Sequence, residues 1–200
     1  MTEKELRLFG DSLMQALIHG DILEEKAISD IQKTPELIHT ELSSGANLFL
    51  FCVLWNQCKV VQTLAEMGAD IHRESESSMI SGNALNVART PEMADYLLGL
   101  GLKVETNLSI REKYWNPAVK AAGHNDVSML FYWLHKEKEL FKNDRPFLRD
   151  ITNAVIEMVD MMNQSNMLAA VVADRELYPL LKEHYTQAED RDSIKLSLAL

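Results

Sequence analysis

Residues 47–72, NLFLFCVLWNQCKVVQTLAEMGADIH, decide how the chain is interpreted. The stretch begins with eight consecutive apolar residues, 48–55, and continues with apolar residues at helical spacing. A helix that is apolar on every side must be covered by neighbours on several sides. In a soluble protein, this combination is typical of short helices that stack in layers.

The same order of residues recurs along the chain. Each segment has a polar residue before a short helix, a small residue within that helix, and then a second helix. The small residues are Ala16, Cys52, Ala88 and Ala121, with spacings of 36, 36 and 33 residues. A period in this range is typical of a solenoid, in which each helix pair is covered by the pairs before and after it.

Three segments carry a more specific pattern: VVQTLAEMGADIH (60–72), NALNVA followed by MADYLLGLG (83–101), and NPAVKAAGHNDV (116–127). In their order of residues they resemble ankyrin repeats, and the resemblance covers about residues 10–140. The family's Thr-Pro pair is replaced by Asn47-Leu48, Asn83-Ala84 and Asn116-Pro117, so the repeats are divergent. Asn47, Asn83 and Asn116 are predicted N-caps, and Gly68 and Gly101 are predicted left-handed residues after second helices.

We therefore expect an all-α, ankyrin-like solenoid of helix-turn-helix repeats with a degenerate helical cap at its C-terminal end. It forms a single predicted domain over residues 1–186. The predicted repeats lie near residues 11–36, 46–72, 82–105 and 115–140, followed by degenerate helices at 146–186 and a tail at 187–200.

The charge balance narrows the class of partner. With 30 acidic and 20 basic side chains, the formal charge of −10 disfavours nucleic acid and anionic membranes and favours a basic protein surface. The N-terminus has no signal-peptide pattern, and no apolar run approaches the ~20 residues of a membrane span. We expect a cytoplasmic protein, and delivery into a host cell stays open.

The ankyrin resemblance implies protein binding through the turn tips and the exposed residues of the first helices. In the second repeat these exposed positions hold Leu54 and Trp55. The related candidates are His19 and His124 at equivalent positions, and Tyr114 and Trp115 before an asparagine cap. Clustered aromatic residues of this kind are typical of interface hot spots. Each tryptophan has an alternative role, packing on its own neighbouring turn or helix, and the sequence leaves that choice open.

The long turns add further candidates. Met79 and Ile80 are apolar residues within a charged loop, and they either enter a pocket of the partner or tuck under their own loop. Glu74, Glu76 and Glu105 are expected to steer a basic partner.

Catalytic function is the first alternative. A thiol-dependent hydrolase would use Cys52 with a histidine and an aspartate. However, Cys52 occupies the position shared with Ala88 and Ala121, where a thiol is ordinarily inert, and Cys58 is likewise interpreted as a small hydrophobic residue. The six histidines lack zinc-type spacing and no phosphate loop is present, so no metal or cofactor is predicted.

The sequence therefore predicts a non-catalytic protein-interaction module that acts as an adaptor, as an inhibitor or immunity protein, or as a host-directed effector. A self-assembling structural protein, joined through the apolar tail or an end repeat, is the second alternative. We expect a monomer.

Overall fold

The computed structural model describes residues 1–76, 80–106 and 115–162. Within these ranges the chain is α-helical apart from one short hairpin, which confirms the predicted all-α class. The elements are α1 (Glu3–Ile18), α2 (Glu24–Lys33), a 3-10 helix (Pro35–His39), α3 (Leu48–Leu54), α4 (Cys58–Glu66), β1 (Ser75–Glu76), β2 (Ser81–Gly82), α5 (Ala84–Val87), α6 (Pro91–Gly99), α7 (Pro117–Gly123), α8 (Val127–Leu140) and α9 (Arg145–Met161). The two strands pair antiparallel.

The chain divides into two compact units, residues 1–103 and 104–200, called unit 1 and unit 2 below. Unit 1 contains α1–α6 and the hairpin, and the described part of unit 2 contains α7–α9. The single predicted domain over residues 1–186 stays a prediction. Its last part, from residue 163, and the tail lie outside the described residues.

The first helix begins earlier than the sequence predicts. The Thr2 hydroxyl accepts a hydrogen bond from the Glu5 N–H at 3.3 Å, and the Glu5 carboxylate accepts one from the Thr2 N–H at 2.7 Å. This reciprocal capping box satisfies amides that a helix start otherwise leaves unpaired. It places the helix start at Glu3, eight residues before the predicted edge of the first repeat.

The three predicted asparagine caps are confirmed. Asn47 Oδ1 accepts from the Leu50 N–H at 2.8 Å. The Oδ1 atoms of Asn83 and Asn116 each accept from the N–H of the residue two positions later, at 2.9 and 2.8 Å. Each asparagine therefore fixes the start of the helix that follows it.

Helices α1, α3 and α7 end in the same hydrogen-bonded turn. Their C-cap residues are His19, Trp55 and His124. The next residues have left-handed backbone and are Gly20, Asn56 and Asn125, with φ of 74°, 54° and 56°. In each turn, the N–H of the residue after the left-handed one donates to a carbonyl in the last turn of the helix. The acceptors are the carbonyls of Ala16, Cys52 and Ala121, at 2.8, 2.9 and 2.9 Å. His19, Trp55 and His124 therefore occupy the same position relative to their helix ends.

Helices α4 and α6 also end as predicted. Gly68 and Gly101 have φ of 88° and 95°, where a side chain is strained. Beyond Gly68, the Ala69 N–H donates to the Leu64 carbonyl at 2.9 Å, which closes a Schellman turn.

Helix α5 departs from the prediction that Ala88 lies within a first helix. The helix ends at Val87, and Ala88 is its C-cap with ψ of 132°. Thr90 precedes Pro91, and a residue before proline avoids the helical region. Thr90 is accordingly extended and caps α6, with its hydroxyl accepting from the Met93 N–H at 3.2 Å.

The core of unit 1 surrounds α3, whose residues 48–53 are all buried. The helix packs against α1, α4, α5 and the 3-10 helix, which explains how it can be apolar on every side. The close contact from α1 to Cys52 comes from Met14, with its sulfur 3.6 Å from the Cys52 sulfur. Ala16, the predicted contact residue, is half-buried.

In unit 2, α7 packs against both α8 and α9. Trp133 on α8 is among its most deeply buried side chains. In the described ranges of the chain, no helix combines the length and the apolar character that crossing a membrane requires.

Candidate protein-binding site

A groove of about 320 Å³ opens in unit 1 between α1 and the chain that leads into α3. It is lined by Asp11, Met14, Gln15, Leu42, Ser43, Ser44 and Phe51. Met14, Leu42 and Phe51 are buried and form an apolar floor, while the other residues supply a polar rim. An apolar floor with a few placed polar groups is the usual composition of a binding pocket.

The rim of the groove is fixed by two hydrogen bonds. The Asp11 carboxylate accepts from the Ser43 N–H at 3.1 Å and from the Ser43 hydroxyl at 2.6 Å. Next to Asp11, Gly10 lets the loop approach α1, since an added Cβ would lie 2.8 Å from a Leu42 methyl carbon. The loop is therefore held against α1 in one arrangement.

Two predicted site residues, His19 and Trp55, lie on the helix faces that carry groove-lining residues. On α1, Asp11, Gln15 and His19 are spaced four apart and share one face. His19 Nε2 lies 3.2 Å from Gln15 Oε1, within hydrogen-bonding distance. Trp55, the C-cap of α3, follows Phe51 by four residues and therefore lies on the same side of the helix as Phe51.

The main chain of Trp55 is fixed while its side chain is 45% exposed. Its N–H donates to the Phe51 carbonyl at 3.2 Å, and its carbonyl accepts from the Gln57 side chain at 3.3 Å. Asn56 Oδ1 also accepts from the Thr90 hydroxyl at 3.1 Å. An exposed aromatic ring on a fixed backbone loses little conformational freedom when a partner covers it. Leu54 beside it is half-buried.

The surface of unit 1 is strongly acidic. Residues 1–103 carry 15 acidic and 8 basic side chains, a formal charge of −7 of the −10 in the whole chain. Several of the basic groups are already paired, as in Lys26–Asp30, Lys59–Glu25 and Arg73–Glu41. The hydrogen bond with Glu25 raises the pKa of Lys59 and lowers that of the carboxylate, so both stay charged.

The remaining unit 1 candidates divide into exposed and buried residues. Glu74 and Glu76, at the start of the hairpin, are exposed. The prediction that Ile80 enters a partner's pocket is wrong, because its side chain is 0% exposed. Met79 lies outside the described residues.

The unit 2 candidates are partly described. His124 is exposed at the C-cap of α7, Trp115 is half-buried before Asn116, and Glu105 is half-buried. Tyr114 lies outside the described residues. The predicted aromatic cluster of Trp55 with Tyr114 and Trp115 stays a prediction.

The two cysteines differ in accessibility. Cys52 is 0% exposed, and burial raises the pKa of its thiol. Cys58 is exposed, which corrects its interpretation as a small hydrophobic residue, because the first residue of α4 faces outward. Partial burial and then the Glu24 carboxylate raise the pKa of the Cys58 thiol, so both cysteines stay protonated at neutral pH. Among the described residues, no three His, Cys, Asp or Glu side chains converge as metal ligands.

The groove contains residues that sequence reasoning missed. Asp11 and Gln15 were detectable, since both precede His19 at spacings of four on one helix. Leu42, Ser43 and Ser44 were not detectable in this way, because they reach the groove through a loop whose course depends on packing against Gly10.

Comparisons of the chain with models of protein families and with curated proteins found no match.

Proposed function

We propose that the protein is a non-catalytic interaction module in which unit 1 binds a basic segment of another protein. The groove between α1 and the chain leading into α3 receives an apolar side chain of the partner. Trp55 covers the neighbouring part of the segment, and the acidic surface attracts its lysines and arginines. Adaptor, inhibitor and effector roles all require this same binding step.

We also propose that the chain is an ankyrin-like repeat solenoid. This interpretation is supported by the shared asparagine caps of α3, α5 and α7 and by the common turn that ends α1, α3 and α7. Repeats of one kind place equivalent residues at equivalent positions, and His19, Trp55 and His124 are such a set.

The observation that carries the binding proposal is the exposed Trp55 ring on the same helix face as an apolar groove. Tryptophan is enriched among the residues that dominate interface energies. Covering the exposed part of the ring removes on the order of 100 Å² from water, which contributes about 2 kcal/mol. Carboxylates around such an anchor mainly accelerate encounter with a basic partner.

The thiol-hydrolase alternative is less well supported. A nucleophilic thiol must reach its substrate and lose its proton, and burial of Cys52 opposes both steps. The self-assembly alternative depends in part on the tail, which lies outside the described residues.

Selection from a display library of short random peptides tests the proposal. We expect the peptides selected by the full-length protein to combine lysine or arginine with one large apolar residue. Their affinity should fall at least tenfold in Trp55→Ala, since about 1.4 kcal/mol corresponds to tenfold.

Leu23→Ala is the matched control. Leu23 is 74% exposed at the N-cap of α2 and does not line the groove, so its removal should leave affinity within about twofold. Equal affinities of wild type and Trp55→Ala would rule out Trp55 as an anchor for the partner.

A further inference from the structure

Glu137 is a buried carboxyl group in unit 2. It lies on α8, its side chain is 0% exposed, and its Oε1 accepts a hydrogen bond from Asn116 Nδ2 at 2.9 Å. Its second oxygen, Oε2, has no hydrogen-bond partner within the part of the chain that the structure describes. A carboxylate in this place would carry its charge with one hydrogen bond from the described residues and no exposure to bulk solvent, which is a costly state.

The hydrogen-bond partner of Glu137 is Asn116, the residue that caps the start of α7. Asn116 Oδ1 accepts from the amides of Ala118 and Val119, at 2.8 and 3.3 Å, while its Nδ2 is held by Glu137. Glu137 therefore orients the cap of α7 from the neighbouring helix.

The equivalent asparagine in unit 1 uses a different acceptor. Asn47 also caps its helix with Oδ1, but its Nδ2 donates to the main-chain carbonyl of Asp70 at 3.1 Å. A main-chain carbonyl is neutral at every pH, whereas a carboxyl group is not. In unit 2 the same capping asparagine is thus tied to a group that titrates.

The described charged side chains of α7, α8 and α9 form no ion pair with Glu137. On α7 the charged side chain is Lys120, which is half-buried and whose pKa burial lowers. On α9 the charged side chains are all exposed, and they are Arg145, Arg149, Asp150, Glu157 and Asp160. The nearest titratable neighbours on α8 itself are His135, Lys136, Lys138 and Glu139. No ion pair joins any of them to Glu137 across the described ranges.

We propose that Glu137 is a pH-sensitive latch: its neutral carboxyl group holds Asn116 and the start of α7 in place, and ionisation releases them. A negative charge strengthens the hydrogen bond from Asn116, but one such bond does not replace the lost hydration of a carboxylate. The ionised side chain is therefore driven toward water, and α8 loses its hydrogen bond to Asn116, the cap of α7.

The direction of the pH effect follows from proton linkage. Burial raises the pKa of Glu137 from 4.5 to about 8. Between these values the folded protein holds a proton that the unfolded chain has released, so stability falls as pH rises. The contribution is complete below about pH 4.5, decreases up to about pH 8, and is constant above that.

Hydrogen exchange on the full-length protein tests the latch. We compare protection factors of the α7 amides at about pH 5 and about pH 8.5, corrected for the intrinsic pH dependence of exchange, in wild type and in Glu137→Gln. Glutamine keeps the shape and the acceptor for Asn116 but does not titrate. The opening equilibrium constant of α7 should rise by roughly two to three orders of magnitude in wild type and by less than about threefold in the variant.

Two outcomes overturn the proposal. One is an equal pH dependence of α7 protection in wild type and Glu137→Gln. The other is a Glu137 carboxyl resonance that titrates near its ordinary value in a carbon-13 NMR experiment on wild type. This second measurement needs no variant, so the proposal is tested even where Glu137→Gln fails to fold.

Discussion

Cys52 lies in α3 and Trp55 is the C-cap that follows the helix, and their surroundings give the two residues opposite properties. The Cys52 side chain points into the core and contacts Met14, so its thiol is shielded. Trp55 is the C-cap residue that follows the last turn of α3, and 45% of it is exposed to solvent. At this scale, position along one short helix separates a packing residue from a candidate binding residue.

Thiol labelling checks this difference between the cysteines. In the native protein, Cys58 should react with a maleimide, slowly because its pKa is raised, while Cys52 should react only after denaturation. Cys58→Ser should abolish native labelling, and Cys52→Ala should preserve it. Rapid native labelling of Cys58→Ser would revive Cys52 as a reactive thiol.

At the scale of helices, the features encoded by a few neighbouring residues could be predicted from the sequence. Asparagine caps and left-handed glycines depend on local hydrogen bonds, so Asn47 and Gly68 were assigned correctly. The position of Ala88 was predicted wrongly: it was expected within the helix, but α5 ends at Val87 and Ala88 is its C-cap. The groove was also missed, since its loop is positioned by the close approach of Leu42 to Gly10.

Two glycine-to-alanine substitutions measure the effect of backbone conformation on stability without a change in packing. An added Cβ meets no atom within 4 Å at either Gly68 or Gly99. Gly68 has a φ of 88°, so Gly68→Ala should lower the free energy of unfolding by about 1–2 kcal/mol. Gly99 lies in α6, so Gly99→Ala should raise it by about 0.5–1 kcal/mol. Urea denaturation measures both, and a stabilising Gly68→Ala would contradict the assigned turn.

On the scale of the whole molecule, charge is distributed unevenly between the two units. Unit 1 carries −7 of the formal charge of −10, and it is also the unit that contains the groove and Trp55. A negative field of this kind raises the local concentration of a cationic partner before contact is made. Affinity then depends on how completely the partner covers the apolar floor and the tryptophan ring.

An NMR titration of the full-length protein with a peptide selected from the display library tests most directly whether unit 1 binds its partner through the groove and Trp55. We expect the Trp55 indole resonance to shift on binding, together with the methyl resonances of Met14 and Leu42 at the groove floor. Resonances of α8 and α9 should stay unchanged. Shifts confined to unit 2, with the Trp55 indole unaffected, would contradict the claim that unit 1 binds the partner through this groove.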